Sequence, residues 1–461
     1  MELIFAVFLT IVVALLASSA LRKARGNYLL SIFLFLFSFV SLYGYALYKA
    51  SPTITLVHGR DVLPLCWLVV LVGLGGVALG YTSVNPRAIL GWPHLRRPPD
   101  DNRLGIWGLT LIFLAWLGEA YFIGRSGGVE AYFSRARGAG AVKDVTAYIY
   151  GARWLMVPGI AFLVGAGMGR RFWRIPAVVA FTVFLGYNLV LGQRTGIFLS
   201  ALMALFTYAY WRRRLPRPHI IVAAIAASAI FMGFVKLTRG DYYIGTDFSN
   251  VNRVLTAPTD KAMQEMILAN VGEPGGSFTE GSEIVVFAGF LRAIPELVDF
   301  DYFNFYSSFL YVWIPRVVWP GRPDVTEKKV LELEAAVGTS YKSGTTPTLL
   351  GMYYLHLGFI SVFLLSAFTG WYLGVIDAHG QLGFSQPAAA AAFILFAPPV
   401  LSMPIGLGPL SGLPVLLPFQ LVPLLVGLTW ACWPSSRSKR RQWGVLVPRA
   451  TEGDRRGSEV R

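Results

Sequence analysis

The sequence contains little charge and almost no cysteine. Only 14% of its 461 residues are charged, whereas 55% are hydrophobic. The apolar residues fall in runs of about 18 or more, which is the length that a helix needs to cross a bilayer. The two cysteines, Cys66 and Cys432, are predicted to lie on opposite sides of the membrane, so we expect neither a disulfide nor a cysteine metal site.

The apolar runs also lack the strict alternation of polar and apolar residues that a membrane β-barrel requires. Because backbone polar groups must be paired inside a bilayer, the remaining architecture is a bundle of helices. We therefore predict an all-α, polytopic membrane protein with about eleven spans. The predicted spans are 2–20, 28–48, 62–83, 104–124, 148–168, 173–191, 195–211, 219–236, 349–376, 387–405 and 410–432.

Basic residues are concentrated on one predicted side of the membrane. The connections "LRKARG", "GRRFWR" and "WRRRLPRP" all fall on that side, and the positive-inside rule makes it cytoplasmic. We expect the N-terminus outside, the C-terminus inside and the first segment to be a retained span, since its basic residues follow the apolar stretch. The net charge of +15 is explained by this topology and by anionic lipid, so no nucleic-acid partner is expected.

Long connections are rare, with the exception of residues 237–348. This predicted extracytoplasmic loop separates an N-terminal bundle of about eight spans, 1–236, from three spans in 349–432 and a basic cytoplasmic tail, 433–461. The loop holds nine Lys/Arg against fourteen Asp/Glu, so its arginines do not form a general basic coat. It has room for short helices. Its stretch "SEIVVFAGFLRAIPELV" is too short to span and is expected to lie in the interface or to dip into the membrane.

Several arginines are candidates for binding an anionic substrate. Arg194, in "LGQRTGIF", lies in a tight outer turn whose glycines allow a ligand to approach, and snorkelling to lipid phosphate is the alternative role. Arg316 and Arg322 lie in "YVWIPRVVWPGRPD", where Trp319 can stack on a sugar. Arg239, near the start of the long loop, is a further candidate. A rim charge is the alternative role for Arg322.

The sequence offers several acids and one histidine as a general base on the predicted external side. The candidates are His356, Glu283, Asp324, Glu280 and Asp241. His356 has two tyrosines beside it and follows a Thr/Gly-rich turn, and a packed polar residue is its alternative role. No DxD-type metal pair is evident, because "DFD" at 299–301 is read as loop, so neither a metal nor another cofactor is expected.

Three features together resemble a known family. They are the Gly-Gln-Arg turn, the large external loop ending in "IPRVVWPGRPD", and "GTSYKSGTTPTLLGMYYLHLGFISVFL" leading into the next span. In these features the chain resembles the Wzy-type oligosaccharide repeat-unit polymerases, to which the O-antigen polymerases belong, over roughly 190–375. The resemblance implies a metal-independent glycosyltransferase of the bacterial inner membrane that joins repeat units carried on undecaprenyl diphosphate at the periplasmic face. It also implies membrane lipids, a chain-length regulator and a flippase as partners.

The chemistry of the residues fits this activity. A diphosphate leaving group develops charge, and planar arginines that make paired hydrogen bonds can stabilise it without a metal. The connection "RSGGVEAYFSRARGAGAVKD" is basic although it lies on the predicted external side, and it is either a diphosphate contact or a solvated loop.

Two other functions fit parts of the pattern. An O-antigen ligase would share the bundle, the lipid donor and the arginines, and would differ in its acceptor. A flippase or exporter would be expected to show inverted repeats and buried ionisable residues. The sequence offers only Glu119 and Lys236 as intramembrane charges and shows no internal repeat, so it favours an enzyme over a carrier.

Overall fold

The fold is given by a computed structural model. The structure describes residues 2–23, 31–85, 99–125, 127–128, 152–190, 194–214, 281–303, 319–321, 332–333, 348–404 and 420–432. Every regular element in these ranges is a helix, which confirms the predicted all-α class for the described part of the chain.

The helices follow the apolar segments of the sequence. They are α1 (Glu2–Lys23), α2 (Ser31–His58), α3 (Val62–Ser83), α4 (Asp101–Arg125), α5 (Met156–Gly169), α6 (Arg174–Val190), α7 (Arg194–Arg212), α8 (Gly281–Ala293), α9 (Thr348–Leu357), α10 (Phe359–Leu382), α11 (Pro387–Phe396) and α12 (Val422–Cys432). Single turns of 3₁₀-helix precede α5 and α6, and a 3₁₀ segment follows α11. The middle of α2, Val40–Ala46, is a π-helix.

Four of these helices, α2, α3, α4 and α10, are long and apolar enough to cross a membrane. Shorter apolar helices include α11 and α12. The described residues therefore indicate a membrane protein. Four spanning helices among them do not establish the predicted count of about eleven spans. The predicted span 219–236, residues 410–419, most of the loop 237–348 and the tail 433–461 lie outside the described residues.

Contacts between helix termini define two ends of the bundle. At one end, the backbone N–H of Asp100 donates to the carbonyl of Ala431 at 3.0 Å, and both residues adjoin connections predicted to be cytoplasmic. At the other end, the guanidinium of Arg292 donates to the carbonyl of His58. The charge pattern predicts that this second end faces outside, and we call it the outer end.

The centre of the bundle is the crossing of α3 and α10. A Cβ atom at Gly80 would lie only 1.8 Å from the carbonyl oxygen of Ala367, and one at Gly370 would lie 2.0 Å from that of Val77. Glycine at these positions lets the two backbones touch, which is how small residues hold membrane helices together. Helices α2, α8 and α9 pack around this pair.

The predicted span 349–376 is not one continuous helix. It is divided into α9 and α10 at Gly358, whose φ of 62° and ψ of −134° are readily adopted only by glycine. The hydroxyl oxygens of Tyr353 and Thr369 lie 2.8 Å apart, and the hydroxyl of Ser361 donates to the carbonyl of Tyr353 at 2.6 Å. Since residues 16 apart in one helix are separated by about 24 Å, α9 must fold back along α10.

Both short helices of this region begin inside the bundle. Thr348, the first residue of α9, is fully buried, and the backbone N–H of Leu350 donates to the hydroxyl of Tyr43 at 3.0 Å. In α8, the ring of Phe287 lies 5.6 Å from that of Tyr43, whereas Arg292 reaches the outer end. The side chains of α8 are mostly buried, so this segment does not lie on the surface of the bundle.

Asp377 ties α10 to the beginning of α2 at the opposite end. Its carboxylate accepts the backbone N–H groups of Ser31 and Ile32, the second at 3.3 Å, and the hydroxyl of Tyr81 at 3.1 Å. The first N–H groups of a helix have no partner within the helix, so a carboxylate from a neighbouring helix can cap them. The predicted span 349–376 ends one residue before Asp377. The sequence therefore does not predict this buried charge.

Candidate functional site

A cavity opens at the outer end between α4, α5, α6 and α7. It comprises about 600 Å³ of space, including its open mouth. Four polar side chains and two tryptophans characterise its lining: Glu119, Arg153, Tyr187, Asn188, Trp116 and Trp154. We call it the outer cavity. A concave site with a few polar groups among aromatic side chains is the usual form of a small-molecule site.

The acid of the outer cavity is held by a tyrosine from another helix. Glu119, on α4, is only 5% exposed, and the hydroxyl of Tyr187, on α6, donates a short hydrogen bond to its Oε1. The ring of Tyr187 packs edge-on against Trp116 at 5.8 Å. These contacts hold the carboxylate in one orientation, as is required of a group that takes a proton from a bound substrate.

Gly196, two positions after Arg194, allows close packing between α6 and α7. A Cβ atom at Gly196 would lie 1.9 Å from the Oδ1 atom of Asn188, so a larger residue would force the side chain of Asn188 to move. Gly196 also lines the outer cavity. Arg194 is the first residue of α7, two positions earlier, so its backbone is close to this cavity. Its side chain lies outside the described residues.

The lining of the outer cavity includes one arginine. This residue is Arg153, with its guanidinium 5.7 Å from the ring of Trp154, and Arg125 ends α4 at the same end of the bundle. Helix α7 begins here, and so does the 3₁₀ turn that leads into α5. The first N–H groups of a helix favour an anion. An anionic group would therefore be attracted to the mouth, beside the carboxylate of Glu119.

His356, the predicted base, lies in another place. Its Nδ1 atom is 3.2 Å from Oδ2 of Asp301, and Phe303 stacks on its ring at 5.1 Å. The backbone N–H of Asp301 donates to the carbonyl of Leu355 at 2.9 Å. The pair joins residues 301–303 to the outer end of α9. The side chains of His356 and Asp301 are 0% and 1% exposed, so a substrate cannot reach them in this conformation.

The other predicted site residues are dispersed. Glu283 is buried in the first turn of α8, at the inner end of that helix, and Trp319 is 40% exposed. Arg239, Arg316, Arg322 and Asp324 lie outside the described residues.

The sequence singles out Glu119 and Asp301 but assigns neither of them a role in the site. Glu119 was noted as an intramembrane charge, which by itself is a signal of function, but its partner Tyr187 is 68 positions away. Asp301 belongs to "DFD", for which the sequence predicts only a loop. In each case the missing information was the partner, which no local pattern identifies.

Comparison with known proteins gives a limited result. Residues 155–381 match a family model described as "Domain of unknown function (DUF8712)". The match includes Tyr187 and Gly196 of the outer cavity, whereas Glu119 and Arg153 precede it. A search of curated proteins and a search of solved structures each found no match.

Proposed function

We propose that this chain is a membrane glycosyltransferase that joins oligosaccharide repeat units carried on undecaprenyl diphosphate, with the outer cavity as its active site. The observation that supports the proposal is the position of Glu119, a buried and oriented carboxylate, in an aromatic-lined cavity that also contains Arg153. Acid, aromatic faces and arginines are the groups that sugar transfer from a lipid diphosphate needs.

The proposed reaction is a displacement at the first carbon of the donor sugar. A hydroxyl oxygen of the acceptor unit forms the new bond to that carbon, and the bond from the carbon to the diphosphate oxygen breaks. The leaving diphosphate keeps the electron pair, and Arg153, assisted by Arg194, stabilises its charge. The carboxylate of Glu119 takes the proton of the acceptor hydroxyl, while Tyr187 holds Oε1. Trp116 and Trp154 offer flat faces for sugar rings.

This assignment replaces a choice that the sequence left open. The sequence left the base open among His356, Glu283 and Asp324, and we assign this role to Glu119 because it is a carboxylate that lines the outer cavity. We assign His356 and Asp301 a positioning role, since they attach the end of α9 to residues 301–303. The eleven-span topology, the periplasmic orientation of the outer end and the location in a bacterial inner membrane are parts of the same proposal.

A carrier is the second candidate, and a specific observation favours it. Helices α8 and α9 are short and begin inside the bundle, a feature of transporters that bind substrates at interrupted helices. Buried ionisable residues are also more numerous than the sequence indicated, since Asp301, Asp377 and Glu283 join Glu119.

Deletion of the gene separates these functions. Loss of long chains with single repeat units retained on the surface lipid is expected for a polymerase. Full-length polymer that is not transferred to its final acceptor would indicate a ligase. Repeat units trapped on the cytoplasmic side would indicate a flippase and would overturn the proposal.

Point variants then test the active site. Glu119→Gln is expected to lower polymer formation on the order of a hundredfold or more, since a positioned base typically contributes that much. Tyr187→Phe should have a smaller effect, because the carboxylate stays but loses its hydrogen bond. Tyr121→Phe is the matched control, because Tyr121 is on the same helix as Glu119 and is 48% exposed. Normal polymer length in the Glu119→Gln variant, at equal membrane levels, would contradict the assignment.

A further inference from the structure

A second cavity follows the outer cavity along the same helices. Its lining is apolar and comes from α5, α6 and α7, with Ile160, Val164, Ala177, Phe181, Ala204 and Trp211 among its members. We call it the apolar groove. The outer cavity uses Met156, Phe184 and Leu199 of the same three helices, and the groove continues about one turn further inward along each. The two cavities are therefore arranged in line along the bundle.

Trp211 and Arg174 lie at the inner end of the apolar groove. The indole N–H of Trp211 donates to the carbonyl of Val164 at 3.1 Å, which fixes the ring across the groove. The guanidinium of Arg174 lies 5.3 Å from the same ring and donates through Nε to the carbonyl of Gly167 at 2.9 Å. These contacts hold the ring of Trp211 in place within the lining of the groove.

The side of the groove opens towards the surrounding lipid. Val178 and Tyr208, which line it, are 52% and 48% exposed on the surface of the bundle. Helix α7 extends about 22 Å from Gly196 at the outer cavity to Trp211 at the inner end of the groove. This distance is most of the thickness of the hydrocarbon core of a bilayer. A long apolar chain can thus enter sideways from the bilayer and lie along α7.

We propose that the apolar groove binds the polyprenyl chain of the donor lipid while the outer cavity binds its diphosphate, an inference that rests on the function proposed above. Arg153 in the outer cavity attracts an anionic headgroup. The adjoining groove offers an apolar surface for one lipid chain. Because α7 rises only about 22 Å along the two cavities, the groove would hold the isoprene units nearest the diphosphate and leave the rest of the undecaprenyl chain in the bilayer.

Photo-crosslinking of the purified full-length protein in nanodiscs tests the proposal. A benzophenone amino acid replaces Ala204 in the groove, and the control site is Leu425, on α12, which is 49% exposed and lines neither cavity. The probes are undecaprenyl diphosphate and phosphatidylglycerol at equal amounts. We expect the position of Ala204 to capture undecaprenyl diphosphate preferentially and the position of Leu425 to show no preference. Equal capture of both lipids at Ala204 would overturn the proposal, because the groove would then be an ordinary lipid contact.

Variants that fill the groove provide an independent measurement. Ala177→Trp and Ala204→Trp should lower binding of undecaprenyl diphosphate about tenfold or more, because the added rings occupy the apolar surface that the chain would bury. Val179→Trp is the matched control, since Val179 is on α6, is 56% exposed and does not line the groove. Wild-type binding in both filled variants would also overturn the inference.

The two proposals can fail separately. If the filled variants lose polymer formation but bind undecaprenyl diphosphate normally, the groove inference is wrong and the glycosyltransferase proposal stands. If the lipid binds in the groove but deletion of the gene leaves polymer length unchanged, the proposed function is wrong and the binding site stands.

Discussion

The hydroxyl oxygens of Tyr353 and Thr369 lie 2.8 Å apart although sixteen positions separate them in the sequence. This contact exists because the chain reverses at Gly358 and returns α10 alongside α9. The reversal places the beginning of α9 in the interior, beside Tyr43, and its end at the outer end, beside Asp301. A segment that reads as one span thus supplies a half-length helix to the interior of the bundle.

The reversal should depend on glycine at position 358. Gly358→Ala is expected to destabilise the fold by about 1–3 kcal/mol, because a side chain strains the backbone at the φ and ψ found there. Gly75→Ala is the control, since a Cβ at that helical position has no atom within 4 Å. Heating in detergent with a thiol-reactive dye reports unfolding through buried Cys66, in a Cys432→Ser background. Equal midpoints for the two alanine variants would contradict the described turn.

The capping of α2 by Asp377 makes a second prediction. Asp377→Ala leaves the buried N–H groups of Ser31 and Ile32 without their acceptor, which should cost about 1–3 kcal/mol or more. Asp377→Asn keeps one carbonyl oxygen and should cost less. The exposed Asp299 supplies the control variant Asp299→Ala, and the same thiol assay measures all three. An Asp377→Ala protein as stable as the control would show that the cap contributes nothing.

The sequence predicted the positions of the helices well and their breaks poorly. Apolar length alone places a span, so the predicted limits of α3 and α4 agree with the structure to within a few residues. The break at Gly358 was missed because "YLHLGFIS" is apolar on both sides of one glycine, and glycine is common in membrane helices. The contact between Tyr353 and Thr369, which are 16 positions apart in the sequence, holds α9 against α10 at this break.

The candidate site was predictable in its location more than in its members. The turn containing Arg194 and Gly196 was predicted to face a ligand, which stays a prediction, and Gly196 lines the outer cavity. The residues that complete this cavity come from α4 and α5, far away in the sequence. Glu119 could be recognised as unusual because it is a charge within an apolar run, but its orientation by Tyr187 depends on the packing of α4 against α6.

The packing of α6 on α7 gives a prediction that links structure to activity. In Gly196→Ala the added methyl group would lie 1.9 Å from Asn188 Oδ1, so Asn188 must move and the outer cavity should lose its shape. We expect polymer formation to fall at least several-fold and to recover in part when Asn188→Ala removes the clash. Gly186→Ala, where a Cβ has no atom within 4 Å, should behave as wild type. No recovery in the double variant would show that Gly196 acts in another way.

Chelation is expected to leave polymer formation unchanged. In the proposed mechanism arginines stabilise the diphosphate, and Asp301 of the "DFD" stretch is directed at His356. The measurement is polymer formation by the purified enzyme with and without EDTA, with a metal-dependent glycosyltransferase assayed in parallel. Activity that EDTA abolishes and magnesium or manganese restores would require a new role for Asp299 and Asp301.

The last prediction concerns the arginines that the sequence selected. Arg194 begins α7 beside the outer cavity, and Arg316 lies in the Trp- and Pro-rich stretch that is predicted to sit at headgroup depth. If both contact the donor diphosphate, Arg194→Ala and Arg316→Ala should each lower polymer formation on the order of a hundredfold, the usual effect of removing one preorganised donor. Arg316→Lys should also be impaired, because lysine keeps the charge but loses the planar pair of donors.

Arg214→Ala is the control for these variants, since Arg214 is exposed just beyond the other end of α7. Polymer length is compared in cells with matched membrane levels of each protein. Wild-type chain length in both alanine variants, at positions 194 and 316, would remove these two arginines from the mechanism and leave snorkelling to lipid phosphate as their role.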